Sequence, residues 1–195
     1  MSTELPMIYL VRHGETPWSL TGQHTGLTDL PLTEHGERVA RELAPRLLAV
    51  PFALVLTSPL QRAARTCELA GFAAAARTDR DLCEWNYGAY EGRRTAEIRA
   101  ARPDWDLFRD GCPDGECAAD VAARADRVIA RVRASGGNAL LFSSGHILRV
   151  LAARWLGQPP QSGRLLQLGT ASVSMLGYEH GPHEPVVHLW NEMRR

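Results

Sequence analysis

Short, uninterrupted apolar runs alternate with helical segments along this chain, and this alternation restricts the fold more than any other feature. The runs at residues 8–11, 53–56 and 139–142 have the length of strands, and their continuous apolar character is typical of strands covered on both faces. Parallel strands of this kind are joined by helices. The pattern therefore predicts an α/β fold, a three-layer α/β/α sandwich with a mostly parallel central sheet.

The helical segments between these runs have recognisable boundaries. Thr33 stands at an N-cap position before an apolar-periodic stretch that reaches residue 50, and Pro45 is expected to kink that helix. The clearest helical periodicity covers residues 118–134. Further elements are predicted by the same criteria: a helix beginning at Pro59, helices at 95–101 and 146–156, a strand edge and loop at 79–92, and closing strands at 172–176 and 186–190.

The whole chain of 195 residues is expected to form a single domain. No internal repeat, low-complexity tract or linker divides it. Residues 80–118 contain several turn signals and little periodicity, so we expect them to form a small irregular cap over one edge of the sheet.

The basic residues of the chain are all arginine, 22 in number, and the sequence contains no lysine. A phosphate site in this protein would therefore consist of Arg, His, backbone N–H groups and helix ends. The 22 acidic residues give a formal net charge of zero, so no overall field favours a nucleic acid or an anionic membrane as a partner.

The cysteine pattern and the first residues predict a cytoplasmic protein. The four cysteines include no C-x-x-C pair, and no apolar leader segment opens the chain at residues 1–6. No apolar run approaches the ~20 residues that cross a bilayer. A homodimer is compatible with the sequence, which does not fix the oligomeric state.

Polar segments follow two of the predicted strands where these strands end. Arg12 and His13 follow the first strand, and the segment 143–146 (Ser-Ser-Gly-His) follows a later strand and opens a helix. Ligands of open α/β sheets bind beyond the carboxyl ends of the strands. We expect Arg12, His13 and His146 to lie close together there, and Arg62 to face the same point. A neutral imidazole can attack phosphorus, and guanidinium groups bind its oxygens. The constellation predicts a phosphoryl-transfer site without a metal cofactor.

Proton transfer requires one further group in such a site. The leaving alkoxide takes up a proton, and the attacking water later loses one. Glu84 is the candidate, because it lies in a polar loop after a strand and has Trp85 and Tyr87 beside it to exclude water.

Five segments occur in a characteristic order: 10–16 (LVRHGET), 22–33 (GQHTGLTDLPLT), 58–63 (SPLQRA), 82–92 (LCEWNYGAYEG) and 144–146 (SGH). Together they resemble the motifs of the histidine phosphatase superfamily, also called the phosphoglycerate mutase-like family, over roughly residues 7–150. This resemblance implies that His13 is the phosphorylated nucleophile and that Arg12, Arg62 and His146 complete the phosphate pocket. It also implies that Glu84 donates and accepts the proton, and that the site uses no metal.

A sixth segment, 18–26 (WSLTGQHTG), resembles one branch of this family, the broad-specificity acid phosphatases and sedoheptulose-bisphosphatase-like enzymes. The likeness implies that Ser19, His24, Thr25 and Tyr87 line the substrate side, with sugar phosphates or phosphoglycerate-like acids as substrates. Arg149 lies one helical turn after His146 and is expected to meet a second anionic group, although an arginine on a solvated helix face is the alternative.

Two other functions stay open beside a phosphatase. A cofactor-dependent phosphoglycerate mutase is the first, but this chain has EWNYG at 84–88 where mutases have an ERHYG-type segment, and it has no lysine. A short cap would also leave a phosphohistidine accessible to water. The second is a noncatalytic member of the fold that binds phosphorylated ligands or a protein.

Overall fold

A six-stranded sheet forms the middle layer of the protein in a computed structural model that describes residues 5–193. The strands are β1 (Ile8–Arg12), β2 (Leu54–Thr57), β3 (Arg77–Thr78), β4 (Ala139–Ser143), β5 (Val173–Tyr178) and β6 (Pro185–Glu192). In the order β3-β2-β4-β1-β5-β6, the first four pair in parallel, whereas β5 pairs antiparallel with both β1 and β6. The predicted α/β class with a mostly parallel sheet is confirmed.

The helices surround this sheet and mostly begin and end where the sequence predicts. They are α1 (Pro17–Thr21), α2 (Glu34–Glu42), α3 (Ala44–Leu47), α4 (Gln61–Leu69), α5 (Thr95–Ala101), α6 (Leu107–Asp110), α7 (Ala118–Ala134) and α8 (Gly145–Trp155). The helix predicted to continue to residue 50 is instead divided into α2 and α3. Pro45 has no N–H to continue the hydrogen-bond ladder, so the chain starts a new helix with proline in its first turn.

Two hydrophobic clusters, one on each face of the sheet, follow from the alternation of side chains along the strands. Leu10 and Leu141 pack with α7 and α8 in one cluster, which we call the α7–α8 face. Val11 and Phe142 pack in the other, which we call the α4 face because it includes Cys67 of α4. The face on which a residue lies therefore follows from its position along the strand.

The carboxyl ends of β1, β4 and β2 lie level with one another. Arg12 pairs with Ser143 across β1 and β4, and Thr57 pairs with Phe142 across β2 and β4. The backbone contact continues one step further, since His13 N donates to the Ser143 carbonyl at 2.8 Å. The first residues after these strands are thus neighbours at one edge, where α/β sheets bind their ligands.

Residues 80–118 contribute large side chains to the cluster on the α7–α8 face, among them Trp85, Trp105 and Phe108. The region predicted as a strand edge at 79–92 contains two short 3₁₀ helices, Arg80–Leu82 and Gly88–Tyr90, instead of a strand. Asp79 caps the first of these through its carboxylate, an interaction that favours a turn over extended pairing.

No helix among residues 5–193 has both the length and the apolar character to cross a membrane. The expectation that no leader opens the chain concerns residues 1–6, of which the first four lie outside the described range.

Replacing Gly88 with alanine is expected to destabilise the fold more than replacing Gly136. Both glycines have a positive φ, 49° and 69°, which costs an alanine about 1–2 kcal/mol. A Cβ at Gly88 would additionally overlap the Pro113 carbonyl oxygen, whereas a Cβ at Gly136 meets nothing within 4 Å. We expect Gly88→Ala to lower the free energy of unfolding in urea by about 2 kcal/mol more than Gly136→Ala. Equal losses would contradict the close approach of these two loops.

Candidate active site

His13 lies buried at the end of β1 with its protonation state fixed by two features. Its Nδ1 lies 2.7 Å from the Gly14 carbonyl oxygen, which can only accept, so Nδ1 carries the proton and Nε2 has the free lone pair. Burial lowers the pKa of His13 well below its usual range, and the nearby charges of Arg12 and Arg62 lower it further. A neutral imidazole with an unprotonated Nε2 is the form that acts as a nucleophile.

Two guanidinium groups flank His13 and are held by backbone carbonyls. Arg12 Nη1 donates to Leu168 O at 2.6 Å. Arg62 is fully buried and donates to the carbonyls of Thr28 and Gly26 at 3.0 and 2.8 Å. Within residues 5–193, the Nε atoms of both arginines are buried without a hydrogen-bond partner. An anion that accepts from these N–H groups would satisfy them.

Glu84 is buried and joins the loop after β3 to the first turn of α8. Its Oε1 accepts from the backbone N–H groups of Trp85 and Ile147 at 2.8 and 2.9 Å, and its Oε2 accepts from His146 N at 2.9 Å. Trp85 and Tyr87 are buried beside it, as predicted. A carboxylate oxygen has two lone pairs, so Oε2 keeps one that can exchange a proton with a ligand.

His146 lies in the first turn of α8, against the cap. Its Nδ1 lies 2.6 Å from the Tyr87 hydroxyl, and its ring lies 6.2 Å from that of His24. Burial lowers the pKa of His146 well below its usual range, with Arg149, His24 and Arg12 contributing. Burial likewise raises the pKa of Tyr87, so the phenol keeps its proton.

A cavity of about 520 Å³ opens beside these groups, and every predicted site residue except Arg62 lines it. Arg62 is not among the lining residues, and its guanidinium donates to the carbonyls of Thr25, Gly26 and Thr28. The lining residues that sequence analysis assigned to this site are Arg12, His13, Ser19, His24, Thr25, Glu84, Tyr87, His146 and Arg149. The structure therefore brings the two sides of the predicted site to one cavity, while the role of each residue stays a prediction.

Two residues of the substrate side have hydrogen bonds that limit what they offer a ligand. The Ser19 hydroxyl accepts from Thr16 N and donates to Thr16 O, both at 2.9 Å, and so caps α1. Arg149 donates to the carbonyls of Gly163 and Arg164, both at 2.9 Å, and its guanidinium stacks 4.8 Å from the Phe108 ring. Arg149 is thus held at the cavity wall and does not extend from a solvated helix face.

Sequence analysis missed several residues that hold this site together. The Leu168 carbonyl binds Arg12 across 156 positions of the chain, and no motif indicates it. Arg124 of α7 donates to the carbonyls of Asp81 and Cys83 and forms a bidentate pair with Glu116, so it fixes the loop that carries Glu84. The helical periodicity of residues 118–134 predicts that Arg124 lies on a helix, but it does not predict which groups Arg124 contacts.

Comparison with protein families matches residues 8–193 to the histidine phosphatase superfamily (branch 1). The chain belongs to this superfamily. An acid phosphatase of Mycobacterium tuberculosis is 40% identical over 185 residues, which cover 92% of this chain and 90% of that protein. Sedoheptulose 1,7-bisphosphatase of Saccharomyces cerevisiae is 38% identical over 80% of this chain and 70% of its own length. The predicted family and the expectation of a phosphatase are confirmed.

Solved structures and mutase-named relatives extend this comparison. The product of a Mycobacterium tuberculosis open reading frame superposes with a TM-score of 0.91 at 35% identity, covering 96% of this chain and 98% of that chain. A probable phosphoglycerate mutase of Klebsiella pneumoniae is 32% identical over 90% of this chain and 86% of its own length. The mutase alternative is thus the weaker of the two on sequence identity.

The buried histidines of this histidine phosphatase should make its stability fall in mild acid. His13 and His146 have folded-state pKa values below the unfolded value of about 6.5, so the unfolded chain binds more protons as the pH falls through that value. We expect the free energy of unfolding to be constant with respect to these groups above about pH 6.5 and to fall below it by up to about 1.4 kcal/mol per pH unit for each histidine. Urea unfolding between pH 5 and 8 measures this.

The variant His146→Gln tests the assignment, since it should reduce the acid slope by the share of one histidine. A slope identical to that of the wild-type protein would contradict the burial of a neutral imidazole at this position.

Proposed function

We propose that this phosphatase hydrolyses monoesters of small phosphorylated metabolites through a phosphohistidine on His13. The observation that carries the proposal is the Nδ1–H bond to the Gly14 carbonyl, because it leaves the Nε2 lone pair free near the charges of Arg12 and of the fully buried Arg62. No metal is needed in this scheme, since guanidinium groups offset the charge of the phosphoryl oxygens.

In the first step, the lone pair of His13 Nε2 attacks phosphorus while the bond between phosphorus and the ester oxygen breaks. The departing alkoxide takes a proton from Glu84, and the phosphoryl group stays on Nε2. Arg12 and Arg62 bind its oxygens through N–H groups that include the unpartnered Nε atoms. His146 is proposed to donate from its Nε2–H to a phosphoryl oxygen, while its Nδ1 accepts from the Tyr87 hydroxyl.

In the second step, a water molecule attacks the phosphohistidine and gives its proton to Glu84. The bond between Nε2 and phosphorus breaks, inorganic phosphate leaves, and His13 returns to its starting form. Because the carboxylate is held by three backbone N–H groups, it can occupy one position in both steps.

Sugar phosphates and phosphoglycerate-like acids are the proposed substrates. The names of the acid phosphatase and sedoheptulose 1,7-bisphosphatase relatives support this class. His24, Thr25 and Tyr87 are proposed to contact the organic part of the substrate, and Ser19 to shape the wall through α1. Arg149 is proposed to bind a second anionic group of the substrate, because its own hydrogen-bond partners are neutral carbonyls.

A cytoplasmic setting without nucleic acid or membrane partners completes the proposal, and the four free cysteines agree with a reducing compartment. A homodimer remains compatible with it.

Replacing His13 with alanine should abolish hydrolysis, because no other lone pair replaces Nε2 at phosphorus. We expect turnover of p-nitrophenyl phosphate in EDTA to fall by about 10³-fold or more. His183→Ala, which removes an exposed histidine, serves as the control and should retain wild-type turnover. Mass spectrometry of enzyme quenched during turnover should detect a phosphate adduct on the peptide that contains residue 13.

Activity of His13→Ala within about tenfold of the wild type would contradict the nucleophile. Incubation of 3-phosphoglycerate with 2,3-bisphosphoglycerate tests the mutase alternative, which formation of 2-phosphoglycerate faster than free phosphate would support. Absence of any hydrolysis between pH 5 and 8 would instead favour a noncatalytic phosphate-binding protein.

Replacing Glu84 with glutamine should slow the hydrolysis of each substrate, and the effect should be larger for a substrate whose leaving group needs a proton. An alkyl phosphate is expected to lose about 10²–10⁴-fold in kcat, and p-nitrophenyl phosphate less than about tenfold, because nitrophenolate leaves without protonation. Urea unfolding of the variant separates this effect from loss of the backbone contacts. Equal losses for the two substrates would exclude Glu84 as the proton donor.

A further inference from the structure

Ser144 stands out among the buried polar residues of the chain. Its side chain is fully buried, and it occupies the N-cap position of α8 without making the usual side-chain cap bond. Among residues 5–193, its Oγ is one of three buried side-chain atoms without a hydrogen-bond partner. The preceding Ser143 is equally buried, but its hydroxyl donates to the Leu82 carbonyl. An unbonded buried hydroxyl is costly, which makes a partner at this position expected.

The strand register brings Ser144 next to the nucleophile. Because Arg12 pairs with Ser143, the following residues His13 and Ser144 lie side by side at the ends of two parallel strands. Ser144 continues the extended backbone with φ −115° and ψ 172°. Side chains alternate along β4, and Phe142 lies on the α4 face, so Ser144 points to that face as well.

The α4 face at this edge is where the nucleophile and one of the two arginines lie. Thr66 of α4 accepts from Gly14 N at 3.0 Å, and Arg62 is four residues earlier on the same helix. His146 lies toward the α7–α8 face instead, because α8 packs on that face and the His146 imidazole is bonded to Tyr87.

The other two unpartnered atoms are Arg12 Nε and Arg62 Nε, both in the proposed phosphate pocket. The backbone after Ser144 lies close to the first of these guanidinium groups, because a Cβ added at Gly145 would lie 3.3 Å from Arg12 Nε. The unpartnered buried side-chain N and O atoms of residues 5–193 therefore all belong to residues around His13. One tetrahedral anion with several acceptor oxygens could satisfy all three.

We propose that the Ser144 hydroxyl donates a hydrogen bond to a phosphoryl oxygen, and that Ser144 is a catalytic residue of the phosphate pocket. This inference rests on the proposed function, since it assigns a residue to the same site. The hydroxyl stays neutral and keeps its proton throughout the reaction. Position 144 thus contributes a donor but no charge, and the positive charge of the pocket comes from Arg12 and Arg62.

The variant Ser144→Ala is expected to change anion binding and stability in opposite directions. Loss of one hydrogen bond to a charged ligand should weaken the binding of orthovanadate, which mimics the pentacoordinate phosphorus, by about tenfold or more. Removal of an unbonded buried hydroxyl from the free protein should leave its urea midpoint unchanged or raise it. Calorimetry with orthovanadate and with inorganic phosphate measures the first effect without requiring turnover.

Ser143→Ala is the matched control, because it removes a neighbouring buried hydroxyl that already has a partner. It should lower the urea midpoint and leave vanadate affinity within about twofold of the wild type. The proposal is overturned if Ser144→Ala keeps wild-type affinity for vanadate, or if it loses as much stability as Ser143→Ala.

The calorimetric test also separates this inference from the proposed function. A protein that binds vanadate but hydrolyses no phosphomonoester would overturn the hydrolase proposal, and the Ser144→Ala affinity would still decide the hydroxyl's role. If Ser144→Ala retains vanadate affinity in an enzyme that is active and His13-dependent, only the Ser144 proposal fails.

Discussion

The proposed chemistry depends on positive charge at the edge of the sheet that is held away from water and has no carboxylate hydrogen-bonded to it among residues 5–193. Burial lowers the pKa of Arg12 and of Arg62, which expresses the cost of holding a guanidinium away from water. Among residues 5–193 the hydrogen bonds of both groups go to backbone carbonyls, whose dipoles offset only part of that cost. Burial, together with these two charges, lowers the pKa of His13 well below its usual range and keeps its imidazole neutral. A bound phosphoryl group would therefore stabilise the arginines and meet a reactive imidazole at once.

The parallel sheet makes this arrangement possible because it brings distant parts of the chain to one edge without any long side chain. β1 and β4 end level, so His13 and the start of α8 are neighbours although they are more than a hundred positions apart. Glu84 then bonds the N–H groups of the first turn of α8, which ties the cap to the sheet edge. Four of the groups proposed to surround phosphorus, Arg12, His13, Arg62 and Glu84, thus have main-chain partners, so little ordering of these side chains would remain when a substrate binds.

The sequence predicts five of the six strands, the long helix α7 and nine of the residues that line the cavity, because those depend on local periodicity and on motifs. It does not predict which side of the cavity a motif residue faces. His146 and Ser144 are two positions apart in one motif, yet the first bonds Tyr87 and the second lies beside His13 in the strand register. Likewise, Leu168 binds Arg12 through its carbonyl, and a backbone contact over such a separation leaves no trace in residue types.

The two ends of the cavity differ in a way that bears on substrate range. The phosphate end has buried donors without partners, so it gains most when an anion binds. The proposed substrate end is lined by aromatic rings and by groups already bonded within the protein, such as Arg149. Most of the binding free energy should therefore come from the phosphoryl group, which all monoesters share. On the proposed assignment, a site of this kind would discriminate weakly among the organic parts of its substrates, because the unsatisfied donors lie at the phosphate end.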